Sequence, residues 1–112
     1  MTVHNMRLHL SPFEKIRNGT KTIEIRLDDE KRQLIRIGDQ VKFSSRESPE
    51  QTVVTEVTGL DTFSSFKEAY AGYPSSEYVA ETSGGWEGMY RFYTQDEERK
   101  YGVLAIRVKF TN

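Results

Sequence analysis

Hydrophobic and polar positions along the chain follow two periods, and the switches between them mark out the elements. Period two is clearest over residues 21–27, where Ile23, Ile25 and Leu27 share one face and Thr22, Glu24 and Arg26 the other, as side chains of a strand alternate. Residues 40–43 alternate in the same way, and residues 52–58 are rich in the β-branched side chains that suit a strand. Over residues 103–110, Leu104, Ile106, Val108 and Phe110 point one way and Arg107 and Lys109 the other. Leu8 and Leu10, on either side of His9, read as a short first strand.

Helix signals fall between these stretches. Ser11 and Glu14 have the spacing of a capping box, Pro12 suits the first helical position, Phe13 and Ile16 share a face, and Asn18-Gly19 is a stop. Phe63, Phe66 and Tyr70 are spaced for a helix starting near Ser64 or Ser65 and ended by Gly72 and Pro74. Residues 86–93 are aromatic-dense and read as helical, and Thr94 with Glu97 repeats the capping-box spacing. Residues 28–36 read as a helical turn or an irregular connection, residues 44–51 as a polar hairpin loop, and residues 75–85 as a flexible loop. The pattern predicts one α+β domain over residues 1–112: a small, mostly antiparallel β-barrel with short helices inserted between its strands. Closure removes exposed strand edges, which favours the barrel.

Composition narrows the chemistry. With no cysteine, disulfides, thiolate zinc sites and thiol nucleophiles are excluded. Two histidines and no spaced carboxylate cluster point to no metal, and no cofactor is expected. Gly84-Gly85 lacks the spacing of a phosphate-binding glycine loop. No apolar run approaches the roughly 20 residues of a membrane span, and the first residues lack a signal-peptide stretch, so the cytoplasm is the expected compartment and no membrane partner is expected.

The net charge of −1 conceals an asymmetry. Residues 1–46 hold 10 Lys/Arg against 6 Asp/Glu, a net of +4, and residues 47–112 hold 6 against 11, a net of −5. Such segregation builds one basic face on a near-neutral protein, or arises by chance among solvated charges. Within the basic half, Glu24 and Arg26 lie two apart on a strand and project to the same side about 7 Å apart. They either form a solvated ion-pair stripe or offer a ligand two handles. The planar fork of Arg26 suits a phosphate or a base edge, and Glu24 suits a base amino group or a sugar hydroxyl. Strict alternation places Lys21 on the buried face, so the strand begins with a twist or the ammonium occupies a cleft. A half-buried lysine loses basicity and can serve as nucleophile or base. Lys31, Arg32 and Arg36 extend the basic face or are simply solvated. Trp86, after the two glycines, either stacks on a base as part of a lid or closes the core with Met89, Tyr90, Phe92 and Tyr93. His9 reads as structural or solvated rather than as a cleft residue.

The run Gly19-x-Lys21-x-x-Glu24-x-Arg26, after a short helix and at a strand start, resembles the signature of the ASCH (activating-signal-cointegrator homology) domains, relatives of the PUA domains. Pro12-Phe13, Ile16, Lys31-Arg32, Ile37-Gly38-Asp39, Phe43 and residues 98–106 look like the same family's framework, whereas residues 61–95 are less diagnostic. The resemblance implies a PUA-like barrel with a cleft beside the signature that binds RNA or a nucleotide-like ligand; the expected binding residues are Lys21, Glu24 and Arg26 of the signature, with Lys31, Arg32 and Trp86 added from the basic face and the aromatic segment. It also implies an alternative, since some members are enzymes. One branch hydrolyses N4-acetylcytidine with the signature lysine, a threonine and a glutamate, and others are described as ribonucleases. Lys21 matches that lysine, but Glu24 stands at the threonine position, and Glu68, Glu77 and Glu81 are all open as the acid. In the hydrolase reading, Lys21 is nucleophile or base and Glu24 its acid–base partner. A protein–protein adaptor is a third reading, and it requires an exposed apolar patch over residues 86–93.

Overall fold

The computed structural model describes residues 1–78 and 84–111. Strand β1 (Val3–Leu8) leads through helix α1 (Leu10–Arg17) to β2 (Ile23–Leu27), and a 3-10 turn (Arg32–Leu34) precedes β3 (Gln40–Ser45) and the long β4 (Thr52–Phe63). Helices α2 (Phe66–Ala71) and α3 (Ser75–Tyr78), a 3-10 helix (Gly85–Arg91) and α4 (Gln95–Tyr101) follow, and β5 (Val103–Phe110) ends the fold. The five strands form one sheet in the order β1-β3-β4-β5-β2. All neighbours are antiparallel except β1 and β3. The sheet curls into a half-barrel, the mostly antiparallel α+β architecture expected, with β1 and β2 as its two edges.

Several boundaries differ from the sequence reading, each for a local reason. Leu10 belongs to α1 rather than to a strand, because β1 lies earlier and pairs in register with β3 from Val3↔Gln40 to Leu8↔Ser45. The helix therefore begins one residue before the expected cap. His9 stands at the N-cap without a side-chain bond, Pro12 is tolerated in the first turn, and Glu14 pairs with Arg17 instead of closing a box. Phe63 remains in β4, held opposite Val103, so α2 starts after it, with Ser65 Oγ accepting from the Glu68 amide at 3.1 Å. The second capping box forms as expected: Glu97 N donates to Thr94 Oγ1 at 3.0 Å and Thr94 N to Glu97 Oε1 at 2.9 Å. Part of the expected loop over residues 75–85 is helical at Ser75–Tyr78.

Two hydrophobic clusters lie on opposite faces of the sheet. The inner one joins Leu8, Val41, Phe43 and Ile106 to Phe13 and Ile16 of α1. The outer one packs Ile23, Ile25 and Leu27 of β2 against Phe66 and Tyr70 of α2 and Met89 of the 3-10 helix. Burying each large side chain contributes roughly 1.5–3 kcal/mol. Glu98 of α4 ties the outer layer together, accepting from Phe66 N and from Tyr90 Oη, each at 2.8 Å. Every residue of β2 is buried. The alternation read from the sequence is real, but its polar face is not solvated: with the isoleucines turned to the outer layer, Glu24 and Arg26 are left facing the barrel interior.

Candidate functional site

The interior charges owe their placement to the way α1 ends. Gly19 takes a positive φ of 83°, a region that disfavours side chains, and Lys21 N donates to Lys15 O at 2.9 Å. Regular pairing of β2 starts only at Ile23, so parity is broken ahead of the strand and Lys21 reaches the same side as Glu24. Its Nζ lies 3.1 Å from Glu24 Oε1 and also donates to the carbonyl of Tyr78. On the other side, Arg26 Nε donates to Glu24 Oε2 at 2.7 Å.

Cation, anion and cation thus share one buried row, with Lys21, Glu24 and Arg26 only 4%, 2% and 9% exposed. A solvated ion-pair stripe is therefore not what this motif makes. Burial pushes the Glu24 carboxyl up, but the charges of Lys21 and Arg26, and their hydrogen bonds, outweigh it and hold the group below its ordinary value. Glu24 is ionised at neutral pH, a carboxylate held between two basic side chains.

Arg26 also spans the opening of the half-barrel. Its Nη2 donates to the Arg7 carbonyl at 2.9 Å, linking edge strand β2 to edge strand β1. Two adjoining cavities, of about 430 and 380 Å3, lie along this seam and share Arg26, Arg32 and Arg46 as a common wall. Arg91, Phe92, Tyr93 and the buried Met89 complete the larger one. Arg7, Lys31, Asn5 and Ser44 line the smaller. No Asp or Glu is among the described residues lining either cavity. Arg32 pairs with Asp29 at 2.8 Å through Nη1, while its buried Nε has no hydrogen-bond partner among the described residues.

The family model of the ASCH domain matches residues 6–112. The chain belongs to the ASCH domain family. Among solved structures, the crystal structure of hypothetical protein PH0355 superposes with a TM-score of 0.84 at 31% identity, covering 98% of this chain and 100% of that one. The solution structure of protein PF0455 from Pyrococcus furiosus gives 0.76 at 29% identity, covering 99% of both chains. The ASCH domain of Lactobacillus crispatus JV V101 shares the fold, with a TM-score of 0.65 at 12% identity over 97% of this chain and 79% of that one. No curated protein sequence matches.

In this ASCH domain the candidate residues separate into groups. Lys21, Glu24 and Arg26 form the interior row, and Arg26, Lys31 and Arg32 meet at the seam cavities. Lys21 lines a different cavity of about 270 Å3, with Ile16, Thr55, Val108 and Phe110. Trp86 stands apart in the outer aromatic layer, edge-on to Tyr90 at 6.2 Å and with Lys67 Nζ 5.9 Å from its ring centre. The aromatics that reach the seam are Phe92 and Tyr93. Glu68 is engaged by Ser64 and Ser65, Glu77 pairs with Arg107 at 3.1 Å, and Glu81 lies outside the described residues. His9 pairs with Glu47 at 3.1 Å and is not among the described residues lining either seam cavity. Sequence reasoning did not single out Arg7, Arg46 or Arg91. The charge asymmetry placed the first two in the basic half, but Arg91 sits in the acidic half, where no pattern marks it. No helix among the described residues is long and apolar enough to cross a membrane.

Proposed function

We propose that this ASCH domain binds RNA or a nucleotide in the cleft along the β1–β2 seam. The observation that carries this reading is the lining itself: six Lys/Arg side chains around two adjoining cavities, without a carboxylate among the described lining residues. A protein of net charge −1 has no bulk attraction for a polyanion, so affinity must come from such a local field. The aromatic rings at one end offer stacking surface for a base, and the guanidiniums offer paired donors to phosphate. Ionised Glu24 fixes Arg26 in place, and a pre-set guanidinium loses less freedom on binding.

The test is fluorescence anisotropy of a short single-stranded RNA between about 50 and 200 mM salt, with Arg46→Glu and Arg91→Glu as variants. Binding should weaken with salt, and each reversal should lower affinity and reduce the salt slope by about one. Unchanged affinity and slope in both variants would refute the seam as the site.

A second reading is supported by a separate observation, the 3.1 Å contact between Lys21 Nζ and Glu24 in the interior. It is hydrolysis of a modified nucleoside or of RNA, with Lys21 as nucleophile or base and Glu24 as its acid–base partner. Against it stand the depth of Lys21 and the second bond of its ammonium, to the Tyr78 carbonyl. Turnover of acetylated nucleosides or of RNA that disappears in Lys21→Ala would establish the enzyme.

A further inference from the structure

We infer that the smaller seam cavity takes the terminal phosphate of a nucleotide, and the larger one its base. This rests on the nucleotide reading above and narrows it to ligands that end in a phosphomonoester, or in a longer phosphate, next to an unstacked base.

Five Lys/Arg side chains line the 380 Å3 cavity. Two of them are offset by carboxylates, Arg26 by Glu24 and Arg32 by Asp29. Arg7, Lys31 and Arg46 form no ion pair among the described residues, which leaves about three positive charges around one small space. An internal phosphodiester brings one negative charge, whereas a phosphate monoester brings about two and offers three acceptor oxygens. The surplus therefore matches a chain end, or a free nucleotide, better than the middle of a strand.

The two cavities also differ in the chemistry of their lining. The phosphate cavity adds a hydroxyl and an amide, from Ser44 and Asn5. Arg32 Nε–H on the shared wall is buried and lacks a partner among the described residues. A buried donor without an acceptor is uncommon, and a phosphate oxygen would supply one. The 430 Å3 cavity differs in kind, bringing Phe92, Tyr93 and Met89 beside Arg91. Phe92 is 43% exposed, so a ring face remains for a base. Each cavity lies near the lower end of small-ligand sites, roughly 300–1,000 Å3. That is room for one base or one phosphate with its sugar, not for a stacked run. The shared wall of Arg26, Arg32 and Arg46 sets the base and the phosphate on its two sides.

Calorimetry or anisotropy with one pentanucleotide RNA in three forms tests this: 5′-phosphate, 3′-phosphate, and hydroxyl at both ends, alongside free nucleoside 5′- and 3′-monophosphates. The intact domain is compared with Arg46→Ala and Phe92→Ala, both exposed positions whose folding is checked by thermal melting. At least one phosphate-ended form should bind about tenfold or more tightly than the hydroxyl form, the scale of a charge-assisted contact. Arg46→Ala should shrink that ratio. Phe92→Ala should weaken every form by roughly tenfold, as loss of a stacking ring does, and leave the ratio intact. Free monophosphates binding as tightly as the oligomers would identify a small-molecule ligand, and preference for phosphate-ended oligomers would identify an RNA end. Equal affinity for all three oligomers overturns the terminal-phosphate inference while leaving RNA binding in place. No binding to any probe removes both.

Discussion

Replacing Glu24 by Gln keeps its shape and removes the negative charge that lies between two buried basic side chains. Lys21 and Arg26 are then left without that carboxylate in a row where they are only 4% and 9% exposed. Breaking a buried ion pair by deleting one partner costs about 3–5 kcal/mol. A Coulomb check agrees, since two unit charges near contact interact by about 4 kcal/mol at an effective dielectric constant of 20. A domain of this size holds roughly 5–15 kcal/mol in total, so Glu24→Gln should lower the melting temperature by roughly 12–20 °C, at about 4 °C per kcal/mol. Thermal and urea denaturation followed by circular dichroism measure this at pH 7. The sign of the pH dependence is fixed as well. Glu24 titrates below its ordinary value in the folded protein, so its contribution is full above the usual carboxylate range and fades as pH falls through the folded value. The gap between wild type and variant should therefore close in acid. A melting temperature within about 3 °C of wild type at pH 7 would show that the row is not a desolvated ion triad.

Two further outcomes concern the frame around the site. Gly102 opens β5 at φ 75° and ψ −169°, a region open almost only to glycine, and an added Cβ would lie 3.0 Å from the Phe63 carbonyl oxygen; Gly102→Ala should cost of order 1–3 kcal/mol in urea denaturation, and a neutral result would mean that the turn into β5 relaxes freely. Asp39 accepts from Thr2 N, His4 Nε2 and Arg36 N, and chiefly the His4 bond lowers its carboxyl to about 2; Asp39→Asn should shift the urea midpoint at pH 7 but bring wild type and variant together as pH falls from about 4 to 2, and a pH-independent gap would contradict that role.

Much of this fold was legible because its local signals agree with its packing. The alternation in β2, the Thr94–Glu97 capping box and the stop at Asn18-Gly19 are each settled by a few neighbouring residues, and all stand in the structure. The misreadings arose where a distant partner decided. Leu10 fits a strand by pattern, yet the register of β1 with β3 is complete at Leu8↔Ser45, and the chain turns into α1. Phe63 has helical spacing with Phe66, but its partner Val103 keeps it in β4. The site divides the same way. The row of Lys21, Glu24 and Arg26 is a local pattern and was visible. The seam is not local, since Arg7, Arg46 and Arg91 come from β1, the residue just after β3 and the 3-10 helix, and only the curl of the sheet brings them together. The polar face of β2 left two readings open for a related reason. Alternation tells which residues share a face and not whether that face meets water or the inside of a half-barrel.

The energetics of the row connect the stability prediction to the binding proposal. A buried triad of charges is a poor way to stabilise a protein, because desolvation offsets most of the attraction and well-packed apolar side chains of similar volume often do as well or better. The inner cluster around Phe13, Phe43 and Ile106 shows that this barrel buries hydrophobic side chains without difficulty. What apolar side chains cannot do is hold a guanidinium at the seam in a fixed orientation with its charge retained. Glu24 holds Arg26 through Nε, and the Arg7 carbonyl holds it through Nη2, while Lys21 balances the second oxygen of Glu24. The combined Lys21→Met, Glu24→Met, Arg26→Met variant separates the two roles. It should recover most of the stability that Glu24→Gln loses, since no charge is left stranded, and yet bind nucleotide more weakly than wild type. Recovery of both stability and binding would mean that the row serves packing alone. Recovery of stability without binding would show that the charges of the row serve the ligand rather than the fold, their cost in desolvation offset by the cation that Arg26 presents at the seam.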